Sequence, residues 1–125
     1  MTIGTSLRDV ARNLINKFGN TISVYSYSSA TKTNDSEGGE TVSDWKTATS
    51  VYVILEELAP SIISIAPQFE ETIGSADIIV RDDTTIGLKD KITINSINYQ
   101  VDSIDQTARV TDTLVLQAVK LHRME

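Results

Sequence analysis

The apolar positions of this chain follow two different periods. Near the N-terminus, Leu7, Val10, Ala11, Leu14, Ile15 and Phe18 recur at i, i+3, i+4 and i+7, with Arg8, Asp9, Arg12, Asn13 and Lys17 between them. That spacing predicts an amphipathic helix over about 7–18. Ser6 suits its N-cap, with Asp9 three residues on, and Gly19 suits its stop. A helix this short is marginal alone, so the packing face carrying Leu7, Val10, Leu14 and Phe18 must rest on the domain's own sheet or on a neighbouring subunit.

Beyond residue 20 the period falls to two. Residues 21–28 (TISVYSYS) read as a strand, followed by a polar, turn-rich tip over 29–40. A strand over 41–46, around Val42 and Trp45, returns as its long-looped hairpin partner, with Trp45 packing in the core or at an edge. In 51–57, Val51, Val53 and Leu55 fall on one side and Tyr52 and Ile54 on the other, the mark of a strand buried on both faces. Four more strands close the chain at 76–81, 91–95, 97–103 and 113–121, and the last repeats the two-sided pattern. The segment 58–75 breaks the rhythm, because Pro60 and Pro67 bracket the run SIISIA. Ile62, Ile63 and Ile65 there form either an exposed contact patch or an edge or helical turn folded onto the core. The sum is a mainly β fold: a small β-barrel or sandwich of about six to seven antiparallel strands, with one N-terminal helix and long inserted loops at 29–40 and 58–75, in a single domain over 1–125.

Charge and composition narrow the function more than the fold. Eleven basic against seventeen acidic residues give a net charge of −6, which opposes attraction to a nucleic-acid backbone. The imbalance is local: between Lys46 and Arg81 there is no cation, while Glu56, Glu57, Glu70, Glu71 and Asp77 all fall there. Such a stretch is a solvated face, or a surface that repels polyanions or meets a basic partner. Without cysteine, disulfides and thiolate chemistry are excluded, in keeping with a reducing compartment. No apolar run approaches the roughly 20 residues of a membrane span, and the N-terminus lacks the pattern of a secretory signal, so a non-exported chain without a membrane role is expected.

Candidate chemistry is sparse. His122, the one histidine, has no Ser or Cys partner in a catalytic arrangement and no second imidazole for a metal. The pairs Glu56–Glu57, Glu70–Glu71 and Asp82–Asp83 are adjacent, and neighbours on a strand point to opposite faces, away from a shared substrate. Asp82 and Asp83, ahead of Thr84, Thr85 and Gly87, suit a turn better than a calcium loop. Gly38 and Gly39 lack the third glycine and the lysine of a phosphate cradle. Tyr25 and Tyr27 share a strand face without cationic neighbours in the sequence, and are expected to pack on another strand. Neither enzyme activity nor a cofactor or metal is expected.

An N-terminal helix, a strand, a long polar loop ending near Trp45, the strand VYVILEEL, then KDKITINSINYQVDSI and TLVLQAVKLHR together resemble the head-completion proteins of tailed bacteriophages, the head-tail joining or stopper proteins of the neck. The likeness spans nearly the whole chain and rests on soft hairpin patterns. Its best-matched part is an Asp, alternating aliphatics, a tight turn and Tyr-x-Val, carried here by Asp90, Ile92, Ile94, Asn95, Tyr99 and Val101. The family often has Asn-Gly at that turn; here it is Asn95-Ser96, and because Ser adopts positive φ less readily, a longer or bulged turn is expected.

The resemblance implies a β-barrel assembled as a homo-oligomeric ring of six or twelve copies in the virion neck, built in the host cytoplasm. Its partners would be the portal or adaptor on one side and a tail-terminator or tail tube protein on the other, with DNA passing through the channel without specific binding. In that setting Glu56, Glu57, Glu70, Glu71 and Asp77 become candidates for an acidic channel lining. Pro60, Ile62, Ile63, Ile65, Pro67 and Phe69 become candidates for a gating or interface loop, ahead of 29–40. Two alternatives stand beside it: a phage tail-terminator or tail-completion protein, and a small β-barrel module binding a ligand such as a sugar, with Tyr25, Tyr27, Trp45 and Tyr52 as stacking platforms.

Overall fold

The computed structural model of the chain describes residues 3–34, 38–46, 48–55, 63–64, 67–74, 76–110 and 112–124. Helix α1 (Ile3–Phe18) leads into β1 (Asn20–Tyr25), the pair β2 (Thr31–Asn34) and β3 (Glu40–Asp44), and β4 (Thr49–Leu55). A 3-10 turn (Pro67–Phe69) and the short helix α2 (Glu70–Gly74) precede β5 (Ile78–Arg81), β6 (Lys91–Ile94) and β7 (Ile97–Asp105). The chain ends with β8 (Arg109–Val110), β9 (Thr113–Leu114) and β10 (Leu116–Arg123). Six strands close into an antiparallel barrel in the order β1-β4-β5-β10-β7-β6, with β6 returning to β1. The fold is thus the small β-barrel with an N-terminal helix that the hydrophobic pattern predicts.

Alternation along the strands builds two cores. Inside the barrel lie Ile22, Val24, Val53, Ile78, Val80, Ile92, Val101 and Val119, all β-branched, which pack together as its interior core. On the outer face of β4, β5 and β10, the neighbours Ile54, Ile79, Leu116 and Ala118 pack with Ala11 and Ile15 of α1 and with Phe69 and Ile73 from the turn and α2. The two-sided strands of the sequence are therefore those with barrel contents on one face and helices on the other. Gln117 interrupts the interior series: it is 2 % exposed, and its amide nitrogen donates to the carbonyls of Arg81 and Thr84 at 2.9 and 3.0 Å. Its amide oxygen accepts from Gln106 at 2.7 Å, so this buried group is satisfied on both its nitrogen and its oxygen.

The helix packs on the barrel's own strands, along β4 and β5 and the β8–β9 hairpin, with only part of the predicted face: Leu7 and Leu14 take part, Val10 and Phe18 do not. It begins at Ile3, so Ser6 lies within it rather than capping it. Gly4 sets that start: a Cβ there would lie 2.3 Å from the Val110 carbonyl oxygen, so only glycine lets the first turn approach the hairpin so closely. The buried line is Gly4, Ala11 and Ile15, with Leu7 and Leu14 half-buried beside it. Val10 and Phe18, placed on the packing face by periodicity, are instead 39 % and 53 % exposed. The apolar stripe is wider than the strip of barrel it covers, and one flank is left in solvent.

Two strand pairings also differ from expectation. The strand around Val42 does not pair with β1, because β4 and β6 occupy both edges of β1. It pairs instead with β2, formed within the expected loop 29–40, as a separate two-stranded ribbon. At the β6–β7 turn, Ile94 pairs with Ile97 and leaves two residues, Asn95 (φ 51) and Ser96 (φ 67). Two positive φ values in a two-residue loop match a type I′ turn, so the serine is forced into the left-handed region by the register of the flanking isoleucines rather than relieved by a bulge.

Candidate functional site

Beside the barrel mouth runs a polar groove of about 800 Å³, with Asn16 from α1, Ser26 after β1, Tyr52 on β4, Arg81 at the end of β5, and Thr84 and Asp90 from the loop before β6 among its walls. The loop is held by two charged forks. Arg12 donates from Nε and Nη2 to both carboxylate oxygens of Asp82 at 2.7 and 2.8 Å. Arg81 grips Asp83 in the same way at 2.9 and 2.7 Å, and reaches Asn16 at 3.1 Å. Bidentate pairs of this kind fix orientation as well as charge. The hydrogen bond to Asp82 holds the Arg12 guanidinium above its ordinary pKa, and the hydrogen bond from Arg81 holds the Asp83 carboxyl below its own. Asp82 and Asp83 do form a turn, with the Thr84 N–H on the Arg81 carbonyl, and that turn also ties α1 to β5.

Asp90 organises the same region. It is 6 % exposed, and its carboxylate accepts the backbone N–H of Tyr27 on Oδ1 and that of Gly87 on Oδ2, both at 2.8 Å. Burial pushes this carboxyl above the usual range, against the opposing pull of the Gly87 N–H. The acid joins the exit of β1 to the β5–β6 loop, which gives the Asp of the hairpin pattern a structural task.

Around the corner, on the outward side of β1 and β6, aromatic rings and lysines interleave. The register sets Tyr25 opposite Lys91, whose Nζ lies 4.2 Å from the Tyr25 ring centroid and 5.5 Å from that of Trp45. Trp45 is tilted against Tyr27 at 6.2 Å between centroids, and Lys32 and Lys89 stand over Tyr27 at 4.5 and 5.3 Å. Glu40 accepts from the Tyr27 hydroxyl. The expectation that Tyr25 and Tyr27 lack cationic neighbours is therefore overturned: Lys32 arrives from β2, five residues on from Tyr27, and Lys89 and Lys91 from the residue before Asp90 and from β6, more than sixty residues away. Period-two patterning gives no sign of them, although the strand pairing would.

The remaining candidates are scattered. Phe69 is buried in the outer core and Ile63 packs against it, so neither contributes to an exposed loop patch; Pro67 is exposed. Glu56, Glu57, Pro60, Ile62 and Ile65 lie outside the described residues. Glu70 and Glu71 are exposed in the first turn of α2. Asp77 is exposed too, but its Oδ2 accepts the Leu121 N–H at 2.8 Å. Tyr52 is 49 % exposed on the groove wall, apart from the Tyr25, Tyr27 and Trp45 group. His122 contacts Asp102 through Nδ1, and Asp102 is the extra residue of a bulge on β7. No group of three or more metal-ligating side chains occurs among the described residues.

By fold and surface, then, the chain is a closed antiparallel β-barrel with a helix on one wall and a cationic, aromatic patch on another. Comparison with protein-family models, curated proteins and solved structures finds no match.

Proposed function

We propose that the chain is a structural subunit of a tailed-phage neck, a head-completion protein that joins portal or adaptor to tail as one member of a ring around the DNA path. The observation that carries this reading is the barrel itself. Its interior is packed with aliphatic side chains, with the buried Gln117 amide tied to the Arg81 carbonyl, so the barrel itself offers walls for contact, and the concave surface among the described residues is the groove beside it. A DNA channel in such an assembly runs between subunits, not through a barrel. The N-terminal helix, the closing hairpin of Ile92, Ile94, Tyr99 and Val101 and the buried Asp90 support the likeness to that family. The exposed helix flank of Ile3, Val10 and Phe18 supports a part built to be covered by partners. A net charge of −6 keeps the assembled ring from gripping the polyanion that passes it.

The test pairs deletion with reconstitution. Particles assembled without this chain are expected to hold filled heads that lose DNA and lack tails, and addition of purified protein restores tail joining. Intact heads beside tails of uncontrolled length would move the assignment to a tail terminator. A strictly monomeric chain that binds neither portal nor tail components refutes the neck reading.

A further inference from the structure

We infer that the cationic, aromatic wall of β1 and β6 is one half of a head-to-tail contact whose other half is the acidic wall of a second copy of this chain, at α2 beside β5 and β10. The inference rests on the ring reading and names the surfaces that would make the ring. The first argument is charge left unspent. Lys32, Lys89 and Lys91 gather around Tyr25, Tyr27 and Trp45, and none of the three forms an ion pair among the described residues. Of the carboxylates nearby, Asp44 is paired with Lys46, while Glu40 and Asp90 accept from the Tyr27 hydroxyl and from two backbone N–H groups and reduce the patch's positive charge without making an ion pair to these lysines. Lys32, Lys46, Lys89 and Lys91 against Glu40, Asp44 and Asp90 leave this wall slightly positive, which in a chain with six more acids than bases marks a surface for an anion.

The second argument is topological. In the closed order β1-β4-β5-β10-β7-β6, the β1–β6 seam lies across the barrel from the β5–β10 seam. On that opposite side, α2 packs through Ile73 on Ile79, Leu116 and Ala118, and presents Glu70 and Glu71 to solvent with Asp77 at the entry to β5. The cations of that neighbourhood are Lys120, just past the β5–β10 pairing, Arg81 within it, which is taken up by Asp83, and Arg109 near Thr107; against Glu70, Glu71, Asp77 and Asp105 the wall stays net negative. Complementary patches on opposite walls make a heterologous contact, which propagates from copy to copy and closes into a ring when the rotation permits. Rings pinned in place by cation–π contact hold the lysines pointing in one direction, so less side-chain freedom is lost on association.

Sedimentation velocity on the full chain tests this, with charge reversal on each wall: Lys32→Glu with Lys91→Glu, and Glu70→Lys with Glu71→Lys. Lys32→Glu with Lys89→Glu serves as a second cationic-wall variant that leaves the β6 ladder untouched, and circular dichroism checks that each variant is folded. The wild type is expected to self-associate, about tenfold or more weakly at high salt than at low. Each reversed variant alone is expected to be monomeric where the wild type assembles, and an equimolar mixture of the two kinds to assemble again. Folded variants that assemble like the wild type, or a mixture that fails to recover, overturn this interface while leaving the ring reading intact. A wild type that is monomeric in every condition overturns both.

Discussion

Replacing Asp90 tests the centre of the groove. Asp90→Ala removes both acceptors and strands the half-buried N–H groups of Tyr27 and Gly87, each now 2.8 Å from a carboxylate oxygen. An unsatisfied buried donor costs about 1–3 kcal/mol, and for two half-buried ones the alanine variant is expected to lose about 2–4 kcal/mol. Asp90→Asn keeps one acceptor and turns an amide NH2 toward the other N–H, for a loss of about 1–3 kcal/mol. The acid also carries a pH signature. Because burial raises its folded pKa above the unfolded one, its contribution is fully present below the ordinary carboxylate pKa and is lost as pH rises through the folded value. The stability gap between wild type and Asp90→Asn should therefore narrow as pH climbs through the window just above the usual aspartate range. Equilibrium urea unfolding followed by Trp45 fluorescence across that range supplies both numbers. An alanine variant within about 0.5 kcal/mol of wild type would refute the bridging role. A gap that widens with pH would show that the two N–H groups outweigh burial and hold the carboxyl ionised.

Three further outcomes follow from the fold. Arg12→Ala breaks the fork on Asp82, whose side chain is 10 % exposed, and should cost about 1–3 kcal/mol in thermal unfolding, with little relief from added salt. Ser96→Gly relaxes a residue held at φ 67 and should stabilise by about 0.5–1 kcal/mol, whereas Ser96→Val should destabilise, as read by Tm. Gly4→Ala drives a methyl into the Val110 carbonyl and should cost about 1–3 kcal/mol, while Val10→Ser on the exposed flank of the same helix should stay within about 0.5 kcal/mol, as read by chemical denaturation.

What the sequence reveals here depends on how far apart the interacting residues lie. The helix and the barrel strands announce themselves because their apolar spacing is local, and the doubly apolar strands β4 and β10 point directly to a layer on each side. The strand around Val42 is legible, but its partner β2 is hidden because TKTN carries no apolar residue to alternate; the two pair because other edges are taken. The helix start is hidden because it depends on the close approach of Gly4 to the β8–β9 hairpin, more than a hundred residues later. Asp82 and Asp83 read correctly as a turn, but Arg12, the partner of Asp82, is 70 residues away. The cationic wall is the largest omission, since Tyr25 meets Lys91 only through strand register. Among the site candidates, Ile63 shows why a proline-bracketed apolar run is ambiguous: it packs, beside Phe69 just past the second proline, on the core that holds α1 and α2.

Closing the sheet on itself has a consequence for how this protein can fail. A circular ladder offers no row of free N–H and C=O groups for another chain to extend, so the barrel is protected from edge-to-edge aggregation by geometry rather than by charge. The ribbon of β2 and β3 has no such protection, and its composition answers the need: threonines, Lys32, Glu40 and Asp44 occupy its positions, with Val42 as its single aliphatic residue. Substitutions that turn the ribbon apolar are thus expected to leave the fold intact and spoil solubility, the opposite of what the same changes would do inside the barrel.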